Sequence, residues 1–131
     1  MPELNIQLLT MVFLFNSRGE VLLLQRSSDV IKRPQEWDLP GGKVDFNEDP
    51  NLAVLRELKE ETGLAAMDCQ LFFVGSDLKP TYRVTLFYKA NTLSEKIKLS
   101  HEHSIYKWVR IDEIANFKMP SNFIKASKEV S

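Results

Sequence analysis

Residues 42–64 read GKVDFNEDPNLAVLRELKEETGL, and the reading of this stretch decides what surrounds it. Asp49 is placed to accept hydrogen bonds from the free N–H groups at a helix start. Pro50 suits the first helical position, and Gly63 suits a left-handed closing residue. The spacing therefore predicts a helix from Pro50 to Thr62. At 100° per residue, Leu52, Leu55, Leu58 and Thr62 fall on one side, while Glu57, Glu60 and Glu61 share the other. Taken alone, such a set also describes a solvated helix face. Like charges at i,i+3 and i,i+4 nevertheless repel by a few tenths of a kcal/mol per pair, and a divalent cation reverses that sign. With no His or Cys inside the cluster, hard oxygen ligands favour Mg²⁺ or Mn²⁺ over zinc, and Mg²⁺ commonly completes its shell with substrate phosphates.

Working outward, strand signals occupy Ile6–Phe15 and Val21–Gln25, joined by the turn residues Asn16-Ser17-Arg18-Gly19. A polar loop follows from Ser27 to Glu36, then the short segment Trp37-Asp38-Leu39. Pro40-Gly41-Gly42 is expected to break regular structure. Further strands are predicted at Leu71–Gly75, Arg83–Ala90 and Ile105–Ile111. Short helices are predicted after Asp112 and Ser121, the latter competing with a frayed tail. This irregular alternation indicates an α/β chain with a mixed sheet covered by helices rather than a repeating βαβ array. No repeat or linker interrupts residues 1–131, which read as a single domain.

Composition removes several classes of function. The 131 residues are 44% hydrophobic and 27% charged, as in an ordinary globular domain. Seventeen basic residues against 18 acidic ones leave a net charge of −1, so no overall field holds a long nucleic acid or an anionic membrane. Cys69 stands alone, which excludes a disulfide framework and a thiolate zinc cluster and suits a reducing compartment, the cytoplasm. The longest apolar run, Ile6–Phe15, falls short of the roughly 20 residues that cross a bilayer and reads as a buried strand rather than a signal peptide. The oligomeric state is left open.

From Gly42 the spacing is five residues, Glu48, seven residues, then Arg56-Glu57-Leu58-Lys59-Glu60-Glu61-Thr62-Gly63-Leu64. This resembles the Nudix box, G-x5-E-x7-R-E-U-x-E-E-x-G-U with U aliphatic, at every specified position. With each required Gly, Glu or Arg arising about once in fifteen positions, the full set occurs by chance near one in 10⁸ starts. Leu22-Leu23-Leu24-Gln25-Arg26 and Trp37-Asp38-Leu39-Pro40-Gly41-Gly42-Lys43 look like the family's approach to its box, and Tyr106-Lys107-Trp108-Val109 looks like its late strand. The resemblance runs from about Val12 to Glu113. It implies the Nudix α/β/α sandwich with a mixed β-sheet and metal-dependent hydrolysis of a nucleoside diphosphate linked to X.

The resemblance also implies roles. Glu57, Glu60 and Glu61 would hold Mg²⁺ or Mn²⁺, Arg56 would orient the carboxylates, and Gly41 and Gly42 would let a backbone carbonyl approach the ion. Glu102 would be a further ligand or the general base, with Glu60 or Glu61 as the alternative base. Lys43 and Arg26 match phosphate-contacting positions. Met119-Pro120-Ser121-Asn122 looks like the segment with which MutT-type enzymes, cleaving nucleoside triphosphates to the monophosphate and pyrophosphate, read the base. Asn122 is thus a base-binding candidate, or equally a helix N-cap. Trp37 and Phe117 could stack a base or simply pack. Pro80, sixteen residues past Leu64, and Tyr82 point instead to ADP-ribose-type or dinucleoside polyphosphate hydrolases; a non-catalytic nucleotide-binding module is the remaining alternative. Glu48 reads as a carboxylate serving the helix start. His101 and His103 flank Glu102 without a third ligand at zinc spacing and read as exposed loop residues.

Overall fold

Thr10 to Leu14 are buried on both faces of strand β1 (Gln7–Phe15), which explains the unbroken apolar run. The computed structural model describes residues 5–130. It continues with β2 (Val21–Arg26), β3 (Trp37–Asp38), β4 (Gly41–Lys43), α1 (Pro50–Thr62), β5 (Met67–Asp77), β6 (Arg83–Asn91) and β7 (His103–Val109). A 3₁₀ helix (Ile111–Asn116) and α2 (Ser121–Ser127) follow. Met11, Phe13, Val21, Leu23 and Phe87 point to one face of the sheet, where Ile114, Phe123 and Ala126 cover them. Val12, Leu14, Leu22, Leu24 and Tyr88 point to the other, under Val54 and Leu58 of α1. Strand alternation thus feeds two cores, and the expected α/β/α sandwich is the observed architecture.

The sheet is mixed: β1 runs parallel to β6 over its whole length, whereas the other pairings are antiparallel. β1 and β2 pair only at Phe15 and Val21. Beyond that point β4 takes the free edge of β1, with Thr10 opposite Gly42, and β3 takes that of β2, with Leu24 opposite Asp38. The segment Trp37–Lys43 therefore crosses from one diverging strand to the other, and the wedge between them is where a site can form. No helix among the described residues is long and apolar enough to cross a membrane.

Local signals set the ends of α1 as expected: the Asp49 carboxylate accepts from Asn51 N–H, and Gly63 closes the helix at φ 76°. Its packing stripe differs. Leu52 is exposed, and the buried residues are Ala53, Val54, Leu58, Glu61 and Thr62. The helix is rotated so that Glu61, expected on the polar face, enters the protein. Gly41–Lys43 is a strand rather than a break, because β1 supplies the hydrogen-bond partners that the local sequence cannot reveal. β7 begins two residues earlier than predicted, at His103, which pairs with Arg26. The final segment is helical, anchored by buried Phe123 and Ala126.

Two glycines separate backbone strain from steric closure. Gly63 has open space where a Cβ would stand, so Gly63→Ala is expected to cost only the left-handed conformation, about 1–2 kcal/mol. At Gly41 (φ 149°) a Cβ would lie 2.0 Å from the Thr10 carbonyl oxygen, so Gly41→Ala must push β4 off β1. Denaturant unfolding should show the Gly41 variant losing clearly more stability than the Gly63 variant; equal losses would contradict the tight β1–β4 approach.

Candidate metal and phosphate site

A cleft of about 340 Å³ opens at the wedge, lined by Gly41, Gly42, Glu57, Glu61 and Glu102 together with Asp38, Lys32, Lys43 and the arginines 26, 33 and 83. Glu61 is its innermost acid: only 4% exposed, with Oε1 accepting from Gly41 N–H at 2.8 Å. Burial, and then the charges of Asp38, Glu57 and Glu102, push its carboxyl well above the usual range against the pull of the Gly41 N–H. Glu57 lies against Gly42, where a Cβ would fall 2.7 Å from its carboxyl carbon. Burial also raises Glu57, opposed by Arg56.

Arg56 ties the acids together. Its Nε and Nη2 donate to Glu48 at 2.7 and 3.0 Å, its Nη1 donates to Glu57 at 3.1 Å and to Glu60 at 3.2 Å, and Nη2 also reaches the Lys43 carbonyl at 3.2 Å. Glu48 thus differs from its expected role. It accepts from Arg56 and from Asp45 N–H, which hold its carboxyl below the ordinary range, while Asp49 caps the helix. Glu60 is more than half exposed and lies outside the cleft lining, joined to Glu57 through the same guanidinium.

The cationic wall comes from three places in the chain. Arg26 is engaged, with Nε donating to the Lys32 carbonyl at 2.9 Å and Nη1 to Asp38 at 3.2 Å. Arg33 stands 3.9 Å from Asp38, and Arg83 stands 3.9 Å from Asp77. Arg33 and Arg83 carried no sequence motif; the loop between β2 and β3 brings the first to the wedge and the pairing of β6 with β1 brings the second. A smaller hollow of about 170 Å³ shares Leu9, Met11, Arg33 and Arg83 with the cleft and ends at Asn122. Asn122 Nδ2 donates to the Ser76 carbonyl at 3.3 Å and to Asp77 at 3.2 Å. It does not cap α2, whose N-cap is Pro120. Trp37 and Phe117 lie edge to face at 5.1 Å, with the Lys107 ammonium about 6 Å from both rings, and neither lines the cleft.

His103 corrects an expectation. His101 is exposed, but the His103 side chain is fully buried, with Nε2 at 3.3 Å from Asp38 and Nδ1 at 4.0 Å from Glu61. It opens a strand that packs under the wedge, whereas the sequence placed it in the preceding loop.

The donor set suits a divalent cation: buried or half-buried carboxylates that raise one another's proton affinity are stabilised by a cation of higher charge. Without it, raised carboxyl pKa values mean that the folded protein binds protons more tightly than the unfolded chain. The metal-free protein therefore loses stability as pH rises from the ordinary carboxyl value through the folded one, and stays weakened at neutrality. In chelator, Glu61→Gln should raise the melting temperature near pH 7 by a few degrees and flatten the loss above the ordinary carboxyl range. Mg²⁺ should stabilise the wild type more than the variant. A variant less stable than wild type in chelator contradicts this electrostatic account.

Residues 7–129 match the family model described as NUDIX domain, and the chain belongs to that family. It is 30% identical to the MutT protein of Methanosarcina mazei Go1, whose crystal structure covers 98% of this chain and 94% of that one at a TM-score of 0.80. It is 34% identical to an 8-oxo-dGTP diphosphatase of Buchnera aphidicola subsp. Schizaphis graminum over 65% of this chain and 64% of the relative, just under two thirds of that protein. It is 32% identical to the asymmetrical bis(5'-nucleosyl)-tetraphosphatase of Mus musculus over 79% of this chain and 74% of the relative. The chain is a MutT-like Nudix hydrolase.

Proposed function

We propose that the protein is a divalent-metal-dependent pyrophosphohydrolase that cleaves nucleoside triphosphates to the monophosphate and pyrophosphate. One observation carries this reading: in a chain of nearly neutral charge, acids and guanidinium groups from β2, β3, α1, β6 and two loops converge on one cleft. Glu57, Glu60, Glu61 and Glu102 would hold Mg²⁺ or Mn²⁺, with the backbone carbonyls of Gly41 or Gly42 completing the set. Such a cation, when bound, offsets phosphoryl charge and lowers the pKa of a coordinated water. Lys43, Arg26, Arg33 and Arg83 face the phosphate oxygens, and Arg56 keeps Glu57 and Glu60 oriented. Glu102, exposed at the mouth, serves either as a further ligand or as the base that takes the proton from the attacking water, with Glu60 or Glu61 as the alternative base. The hollow ending at Asn122 receives the base. A small nucleotide rather than a long nucleic acid is the ligand, and the lone thiol of Cys69 suits work in the cytoplasm.

Dinucleoside polyphosphates form the second reading, favoured by the greater share of this chain that aligns with the mouse tetraphosphatase than with the Buchnera enzyme. Incubation with Mg²⁺ and a panel of nucleoside triphosphates, ADP-ribose and diadenosine tetraphosphate, with products separated by chromatography, discriminates these readings. Triphosphates should be consumed fastest and yield pyrophosphate. Glu60→Gln and Glu61→Gln should each reduce turnover by about 10²–10⁴-fold while remaining folded. Nucleotide binding without turnover on every member would identify a binding module and refute the proposal. Asn122→Ala should raise KM and narrow the differences among bases with little change in kcat; unchanged selectivity removes Asn122 from base recognition.

A further inference from the structure

Among the described residues at the wedge, His103 carries a buried nitrogen that the proposed hydrolysis does not use. Its Nε2 faces Asp38 Oδ2 at 3.3 Å, and the same oxygen accepts from Arg26 at 3.2 Å, while Oδ1 accepts from Leu39 N–H at 3.0 Å. On the other side of the ring, Nδ1 is buried, has no hydrogen-bond partner among the described residues and lies 4.0 Å from Glu61 Oε2. A buried imidazole nitrogen left without a partner and aimed at a carboxylate marks a place for a cation between them.

Glu61, Glu102 and His103 each present one ligand atom, all within 4.8 Å of one another. Tetrahedral ligands about 2.0–2.2 Å from a common ion stand roughly 3.3–3.6 Å apart, so an ion between Nδ1 and Oε2 draws the two in by a few tenths of an ångström from their 4.0 Å separation, and exposed Glu102 can turn to meet it. A metal-binding imidazole commonly gives its other N–H to a carboxylate, and Asp38 stands in that place beside His103 Nε2. Imidazole nitrogen suits Zn²⁺ and Co²⁺, which Mg²⁺-type oxygen sites do not select. The third ligand that the His-Glu-His stretch lacked comes from α1, forty residues earlier in the chain.

We propose that His103 Nδ1, Glu61 and Glu102 form a mixed nitrogen–oxygen cation site that selects Zn²⁺ or Co²⁺ over Mg²⁺, overlapping the carboxylate site through Glu61. This rests on the reading of Glu61 as a metal-facing group. Metal-free protein is titrated with Zn²⁺ by calorimetry in excess Mg²⁺, and with Co²⁺ by visible absorption. His103→Asn should weaken Zn²⁺ by about 100-fold or more and Mg²⁺ by less than about threefold. Long-range ¹H–¹⁵N spectra of the wild type supply a test that needs no variant: the His103 Nδ1 resonance should move on adding one equivalent of Zn²⁺. Equal Zn²⁺ affinity in a folded His103→Asn protein, or an unmoved Nδ1 resonance, overturns the proposal. If Mg²⁺ still binds in that case, the carboxylate site survives; if no divalent cation binds, both readings fall.

Discussion

One hydrogen bond, from Gly41 N–H to the buried carboxylate of Glu61, joins the helix to the sheet at the point where β1 and β2 part. It depends on three things at once. The helix must be rotated to carry a charged residue inward, β4 must lie on β1 with no side chain at position 41, and the wedge must leave room for a ligand. Each is costly alone, since a buried carboxylate with one donor is poorly solvated and φ 149° is open only to glycine. Together they place a reactive anion on the floor of an open cleft.

Charge is distributed around that bond in layers. Arg56 occupies the outer side of α1 and offsets Glu48, Glu57 and Glu60, while Arg26 and Arg33 stand against Asp38 on the far wall. Among the described residues Glu61 has no such cation: its nearest basic group there is a buried imidazole 4.0 Å away. Positive charge has therefore been placed everywhere except at the centre, as a site that receives its cation from solution requires.

The bounds of α1 were legible because Asp49, Pro50 and Gly63 act within a few residues of themselves. The acidic set was legible because helical spacing is fixed. The rest was hidden by distance along the chain. Gly41–Lys43 looks like a break until β1 lies beside it. Glu48 looks like a helix-start carboxylate until Arg56, two turns into α1, folds back to reach it. His103 reads as a loop residue until β7 pairs with β2 and closes over it, and Arg33 and Arg83 have no local mark. Trp37 and Phe117 offered the right chemistry for a base, but their best partners are each other.

The divergence of β1 and β2 also separates two kinds of evolutionary freedom. The floor of the wedge is built from strand pairing and one helix, so nearly every atom there is committed to the architecture. Its outer walls come from the facing ends of β5 and β6, the start of α2 and the stretch between β2 and β3, none of which holds the two strands apart. Such a scaffold can exchange what it recognises by altering its margins while the centre stays fixed, and selection on ligand choice can proceed with little cost to folding.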